Sequence, residues 1–395
     1  MPIVHRRATG VRLSTAVQAT LDTFAARRQG ESSKLRSDPG PVVLAALSAH
    51  DSKAAIHERA LDAWLDALDS DTRTGSIAFG PTCPMSGLAV AKSVVPRLAR
   101  LSRQLWADVA EVWPRERWRT RDIDFGDYDL ISGPAGMLLN LAAGRASPRQ
   151  LIDRCVRQLL ALCADEDLAA LRLGDGQGGD QNRWNDGRIN TGLAHGVAGV
   201  TIALKAVLER GLPPTRRLRA ALARTSDWLV SQSYADSRGL QTWATAGLDG
   251  GKPPQAQRRQ AWCYGTPGIA WSLWESGRVL GRPDLREFAL DAMGTFCALF
   301  KPGLYLDRKP IARLGFCHGA AGTLATADCF ATHARFKPAA GLARELERLL
   351  SRHLDLIVRL SAADTSLVTG TSGMLSVLLT RRGAPRTWLL PLGLR

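Results

Sequence analysis

Apolar residues recur at three- and four-residue steps through RQLIDRCVRQLLALC (149–163), TRRLRAALARTSDWLVSQ (215–232), DLREFALDAMGTFCALF (284–300) and GLARELERLLSRHLDLIVRL (341–360). That spacing predicts helices with one buried and one wet face. A second kind of segment reads differently. GMLLNLAA (136–143), GVTIALKA (199–206), GIAWSLWE (268–275) and GTLATADC (322–329) are rich in small residues and apolar nearly all round. Helices of that make-up are buried on both sides. The two kinds alternate, with few β-branched runs to suggest strands between them. The pattern predicts an all-α fold, a two-layered α/α toroid with an inner and an outer ring of helices.

Each inner segment opens on the same punctuation. DLISGPAGMLLNLAA, GLAHGVAGVTIALKA, AWCYGTPGIAWSLWE, GFCHGAAGTLATADC and SLVTGTSGMLSVLLT align on G-x-x-G, with glycine pairs at 133/136, 196/199, 265/268, 319/322 and 370/373. Such self-similarity marks a repeat architecture. A sixth copy, GSIAFGPTCPMSGLAVAKSVV from Gly75, is irregular, with Cys83 and two prolines inside GPTCPMSG. Six or seven helix pairs would close the ring, with the G-x-x-G loops sharing one end as its mouth. The polar stretches 174–188 and 237–257 read as mouth-lining loops, the latter with short strands. Residues 29–42 (QGESSKLRSDPGPV) read as a linker. The domain expectation is therefore a basic N-terminal arm and linker over 1–40, disordered or loosely helical, followed by the toroid over 41–395.

Composition narrows the setting. At 395 residues, with 45% hydrophobic and 23% charged, the chain is long enough for a sizeable core. No run approaches the roughly 18 apolar residues of a membrane span, and the basic start lacks a secretory apolar stretch. Seven cysteines, an odd number, argue against a disulfide framework and for a reducing, cytoplasmic compartment. Cys155, Cys163, Cys297 and Cys329 fall in apolar helical patterns and read as buried, inert thiols. The net charge of +15 comes mostly from arginines scattered along helix faces. No nucleic-acid motif accompanies it, so nucleic acid is not an expected partner. An acidic peptide segment is the partner such a charge would favour.

Reactive side chains stand at equivalent positions of the repeats. Directly before the first glycine come Ser132, His195, Tyr264, His318 and Thr369; one place earlier come Ile131, Ala194, Cys263, Cys317 and Val368. Cys263, Cys317 and His318 should therefore meet at the mouth. Two thiolates and one imidazole suit Zn2+, and three protein ligands leave one corner of its tetrahedron open, as in catalytic zinc.

AHG (194–196), WCYG (262–265) and CHG (317–319), in that order on G-x-x-G repeats, give the chain a marked resemblance. Over about residues 75–395, including the closing RTWLLPLGL, it resembles the lanthionine synthetase C-like proteins, the lantibiotic cyclases. The resemblance implies an α/α toroid with one Zn2+ held by Cys263, Cys317 and His318. It implies addition of peptide cysteine thiols to dehydroalanine or dehydrobutyrine, giving (methyl)lanthionine rings in a ribosomally made peptide. His195 would donate the proton to the resulting enolate. Arg259 would stabilise enolate charge, Asp129 would orient His195 or bond Arg259, and Tyr264 would bond the zinc shell or the substrate. The implied partners are a dehydrated precursor peptide with an acidic leader, a separate dehydratase, and a biosynthetic complex that can be membrane-associated. Two other roles fit the resemblance: a zinc protein that binds or adds glutathione-type thiols to dehydrated residues, and a non-catalytic peptide-binding scaffold. The small extra domain that some members carry is not found in this sequence.

Overall fold

The computed structural model describes residues 2–26, 37–52, 55–74, 80–112, 118–143, 148–174, 186–212 and 215–395. In chain order the first helices are α1 (Pro2–Ala25), α2 (Gly40–Ser52), α3 (Glu58–Thr74), α4 (Pro84–Ala91), α5 (Leu98–Val112), α6 (Pro134–Ala143), α7 (Arg149–Leu162), α8 (Val197–Glu209) and α9 (Thr215–Ser231). The hairpin β1 (Ser233–Ala235) and β2 (Gln241–Trp243) interrupts them. There follow α10 (Thr266–Leu280), α11 (Pro283–Leu299), α12 (Pro302–Tyr305), α13 (Pro310–Leu314), α14 (Ala320–His333), α15 (Lys337–Arg352), α16 (Leu354–Leu360) and α17 (Thr371–Arg381).

The apolar-all-round segments form the inner ring. Every residue of α14 from Ala320 to Phe330, and of α17 from Thr371 to Thr380, is buried. Successive inner helices pack α2 on α4, α4 on α6, α6 on α8, α8 on α10, α10 on α14, α14 on α17 and α17 back on α2. Seven inner helices thus close the ring among the described residues. The amphipathic helices α3, α5, α7, α9, α11 and α15 cover it, each burying one face; on α15 that face is Ala339, Leu342, Ala343, Leu346 and Leu350.

The second glycine of each repeat is fixed by a close approach. A Cβ at Gly136, Gly268, Gly322 or Gly373 would lie 1.9, 2.1, 1.9 or 1.9 Å from the carbonyl oxygen six residues earlier. Only a hydrogen fits there. The loop therefore folds back over the start of its own helix, which throws the residues before the first glycine toward the mouth.

Two expectations about the chain's start are revised. The basic stretch contains α1, whose residues Leu13, Ala16, Val17 and Leu21 are buried, and which packs on α2, α3, α16 and α17 as the seventh member of the outer layer. Inside the stretch read as a linker, Gly40 begins α2, an inner helix. Residues 29–36 of that stretch, 75–79 of the irregular copy and 175–185 of the polar stretch 174–188 lie outside the described residues. The strands of the hairpin, at Ser233–Ala235 and Gln241–Trp243, pair antiparallel with Tyr234 opposite Thr242. Beyond α17 a 3-10 turn over Thr387–Leu392 enters the middle of the ring. Trp262 and Trp271 donate their indole N–H groups to the carbonyls of Leu392 (2.9 Å) and Gly393 (3.0 Å). The last residues therefore fill the centre beneath the mouth.

One buried carboxyl group bonds across the seam where the ring closes. Asp38 Oδ1 accepts the backbone N–H groups of Gly40 (2.8 Å) and Leu367 (2.7 Å), joining the start of α2 to the loop before α17. Its Oδ2 is buried without a partner, and burial pushes its pKa up to about 7, against the hydrogen bonds that lower it. A raised carboxyl pKa means that the folded state binds the proton more tightly. Its stabilising contribution is complete below about pH 4 and is lost as pH rises toward 7, by up to about 4 kcal/mol. Asp38→Asn keeps the Oδ1 acceptor without the charge. It should raise the unfolding temperature at pH 8 and leave it unchanged at pH 4; equal shifts at both pH values would contradict the assignment.

Candidate metal centre

Backbone hydrogen bonds lace neighbouring G-x-x-G loops together at the mouth: Leu130 N–H to Ala194 O (3.1 Å), Leu193 N–H to Cys263 O (2.8 Å) and Cys317 N–H to Val368 O (3.0 Å). Within that girdle the ligating atoms of Cys263, Cys317 and His318 all lie within 4.8 Å of one another, with Cys317 Sγ 3.8 Å from His318 Nε2. Cys263 is buried, Cys317 half-buried and His318 exposed, so the trio opens to solvent on the histidine side. Among the described residues no other group of three Cys, His, Asp or Glu side chains offers a metal site.

The donor set fits zinc. Zn–S and Zn–N bonds of about 2.3 and 2.0 Å in a tetrahedron separate donor atoms by about 3.5–3.8 Å. The observed spacing reaches that with a contraction of about 1 Å or less. One of the two thiols is also prepared to ionise. Cys317 is held well below the usual thiol range, first by the hydrogen bond it shares with Cys263 and then by His318 and His195. Burial, followed by that same bond, pushes Cys263 well up. Physically the pair shares one proton: the first leaves readily and the second reluctantly, until a cation arrives to compensate the second negative charge. His318 is raised, first by Cys317, with burial and then Arg259 opposing the rise.

The remaining cysteines do not approach this cluster. Cys83, Cys155, Cys163 and Cys329 are buried, as expected of the last three. Cys297 differs from expectation in being only half-buried, although desolvation still pushes its thiol up to about 12.

His195 stands beside the trio in a fixed orientation. Asp129, fully buried, places Oδ2 2.6 Å from His195 Nδ1. Its Oδ1 accepts the N–H groups of Ser132 (2.7 Å) and Gly133 (3.0 Å) and the Ser132 hydroxyl (3.1 Å). Of the two roles expected for Asp129, bonding His195 is the one present. Burial pushes the imidazole's pKa down, but the hydrogen bond and charge of Asp129, helped by Cys317, more than offset it, so the net shift is upward. With Nδ1 occupied and the side chain 32% exposed, Nε2 is the nitrogen left to face the mouth.

Arg259 is exposed on the rim, its guanidinium carbon 5.6 Å from the centroid of the Tyr264 ring. Tyr264 is 7% exposed, and its hydroxyl accepts a hydrogen bond from Asn190 Nδ2 at 3.2 Å. The tyrosine therefore acts as a platform for the arginine, held from below by an asparagine.

Two residues that sequence reasoning missed hold His195. The Tyr128 hydroxyl donates to the His195 carbonyl (2.8 Å), and the Phe125 ring lies tilted against the imidazole, with centroids 4.8 Å apart. Both precede the first aligned repeat, so no periodic position pointed to them. Their one sequence signal is adjacency to Asp129.

A closed double ring of helices with a Cys2His cluster at the loop end defines a class, and the chain belongs to it. The family model of the lanthionine synthetase C-like proteins matches residues 42–387. Among solved structures, nisin cyclase matches with a TM-score of 0.74 over 98% of this chain and 97% of that one, at 19% identity. The likeness at that identity is one of fold. No curated protein sequence matches the chain.

Proposed function

We propose that the protein is a zinc-dependent peptide cyclase, adding cysteine thiols to dehydroalanine or dehydrobutyrine residues and so closing (methyl)lanthionine rings. One observation carries the reading: a three-donor thiolate–imidazole cluster opens at the mouth beside a histidine whose far nitrogen is locked onto a buried aspartate. Cys263, Cys317 and His318 would hold the ion. Bound there, zinc would lower the pKa of a peptide thiol brought to its open position.

The protein's own residues account for the rest. The peptide thiol gives up its proton to solvent, its sulfur forms a C–S bond to the β-carbon, and the electrons of the C=C bond move onto the neighbouring carbonyl as an enolate. His195 delivers a proton from Nε2 to the α-carbon, which returns the carbonyl and leaves the thioether. Asp129 keeps Nδ1 protonated and the ring aimed, and it stabilises the positive charge before transfer. Arg259 on its Tyr264 platform would stabilise the oxygen that becomes negative, where a fixed cation is most effective. A scaffold that only binds peptide would have no use for a proton donor braced in this way.

In this reading a separate dehydratase installs the dehydrated residues of a ribosomally made precursor peptide in the cytoplasm. Among the described residues no helix is long and apolar enough to cross a membrane. The test is incubation of the zinc-loaded protein with a dehydrated peptide. Free thiol should disappear with no change in peptide mass, because addition is an isomerisation. Thiol counts equal to those of a protein-free control would defeat the proposal.

A further inference from the structure

Several arginines of this protein pair with acids. Arg381 and Arg386 pair with Asp328, Arg278 with Glu209 and Glu275, Arg172 with Asp249 (2.9 Å), and Arg282 with Asp227 (3.1 Å) and Asp284. The two segments leading into the ligand loops are different. GGKPPQAQRRQ (250–260) carries three cations and no acid, and DRKPIAR (307–313) has Asp307 as its one acid. Lys252, Arg258, Arg259, Arg308 and Lys309 are all exposed. Among the described residues none of the five forms an ion pair.

The hairpin holds these segments side by side. Asp236 grips Arg238 through Nε (3.0 Å) and accepts the Gln257 N–H (3.2 Å), while Ser237 N–H donates to Gln255 O (2.8 Å). Arg238 in turn donates to Gln257 O (2.8 Å) and lies 5.2 Å over the ring of Tyr305. Tyr305 ends α12, two residues before Asp307. The first segment is thus anchored to the second a few residues from where each enters its ligand loop.

We propose that these cations form a docking collar for an acidic segment of the substrate peptide, lying next to the cysteine that enters the mouth. The proposal rests on the cyclase reading for the identity of its occupant. Unpaired cations over a low-dielectric cleft raise the local concentration of an oppositely charged ligand. Their rigid anchoring reduces the ordering cost of binding. A peptide fits better than a nucleic acid, since no nucleic-acid-binding motif accompanies the charge along the sequence.

The test uses two synthetic peptides of identical cysteine–dehydroalanine spacing, one with glutamates beside the cysteine and one with glutamines. At about 0.05 M salt the glutamate peptide should show a KM roughly tenfold lower, with kcat unchanged, and the difference should vanish near 0.5 M salt. It should also vanish in the combined variant Lys252→Gln, Arg258→Gln, Arg308→Gln, Lys309→Gln. Fluorescence anisotropy of labelled peptides with serine in place of dehydroalanine reads the same preference without turnover. Preference in binding with no ring closure would keep the collar and remove the cyclase reading. Ring closure with no preference, or a preference that survives in the combined variant, would overturn the collar. So would loss of binding to phosphatidylserine vesicles in that variant when the wild type distinguishes neither peptide.

Discussion

Cys317→Ala should be purified with essentially no zinc, where the wild-type protein carries about one ion per chain. With only three protein donors there is no redundancy, and the variant would leave one thiol and one imidazole. Losing outer partners of metal ligands already costs 10–100-fold in affinity, so losing one ligand of three should cost more than about 100-fold. Folding should survive, because the side chain lies half-buried in a surface loop while the core beneath is built from the inner helices. Cys297→Ala, on α11 and outside the site, is the matching control and should keep its metal. Elemental analysis with circular dichroism on both variants decides the point. Full zinc in the Cys317 variant would refute the ligand set.

His195→Ala separates proton delivery from metal holding. General acid catalysis contributes about 10²–10⁴-fold, so ring closure should slow by that factor while zinc content stays at one. The imidazole bonds Asp129 and packs against Phe125, and it is not one of the three converging donors. Thiol disappearance on a dehydrated peptide measures the rate. A variant that closes rings at the wild-type rate would take His195 out of the mechanism. A variant that loses zinc would place it among the ligands instead.

The fold was legible where the sequence obeys one packing constraint several times. Each G-x-x-G loop must bring a carbonyl against the start of its helix, and that demand wrote a glycine into five aligned positions. It also made the alignment a spatial prediction for Cys263, Cys317 and His318, which the structure brings together. Legibility failed where closure used other means. α2 carries no G-x-x-G pair, although Gly87 of the next repeat packs closely on it: a Cβ there would stand 2.5 Å from Val42 Cγ1. Asp38, rather than a repeat loop, then joins α2 to the other end of the ring. The buried face of α1 was hidden in a segment whose basic residues suggested an arm. At the site, the aspartate holding His195 came from resemblance alone. Phe125 and Tyr128 carried no signal beyond their nearness to Asp129, because the turn that positions them belongs to no repeat. The neighbourhood of the two basic segments at the mouth was not legible either, because it depends on the hairpin tying residues 255–257 to Tyr305.

The central claim is that two sulfurs and one nitrogen from successive loops share a single ion and leave room for a fourth donor. Zinc-edge X-ray absorption on the wild-type protein, as purified, tests it most directly. The account predicts two sulfur scatterers at about 2.3 Å and one protein imidazole at about 2.0 Å, with the remaining position filled by a light atom from solvent. A shell of three or four sulfurs, or of one, would contradict it.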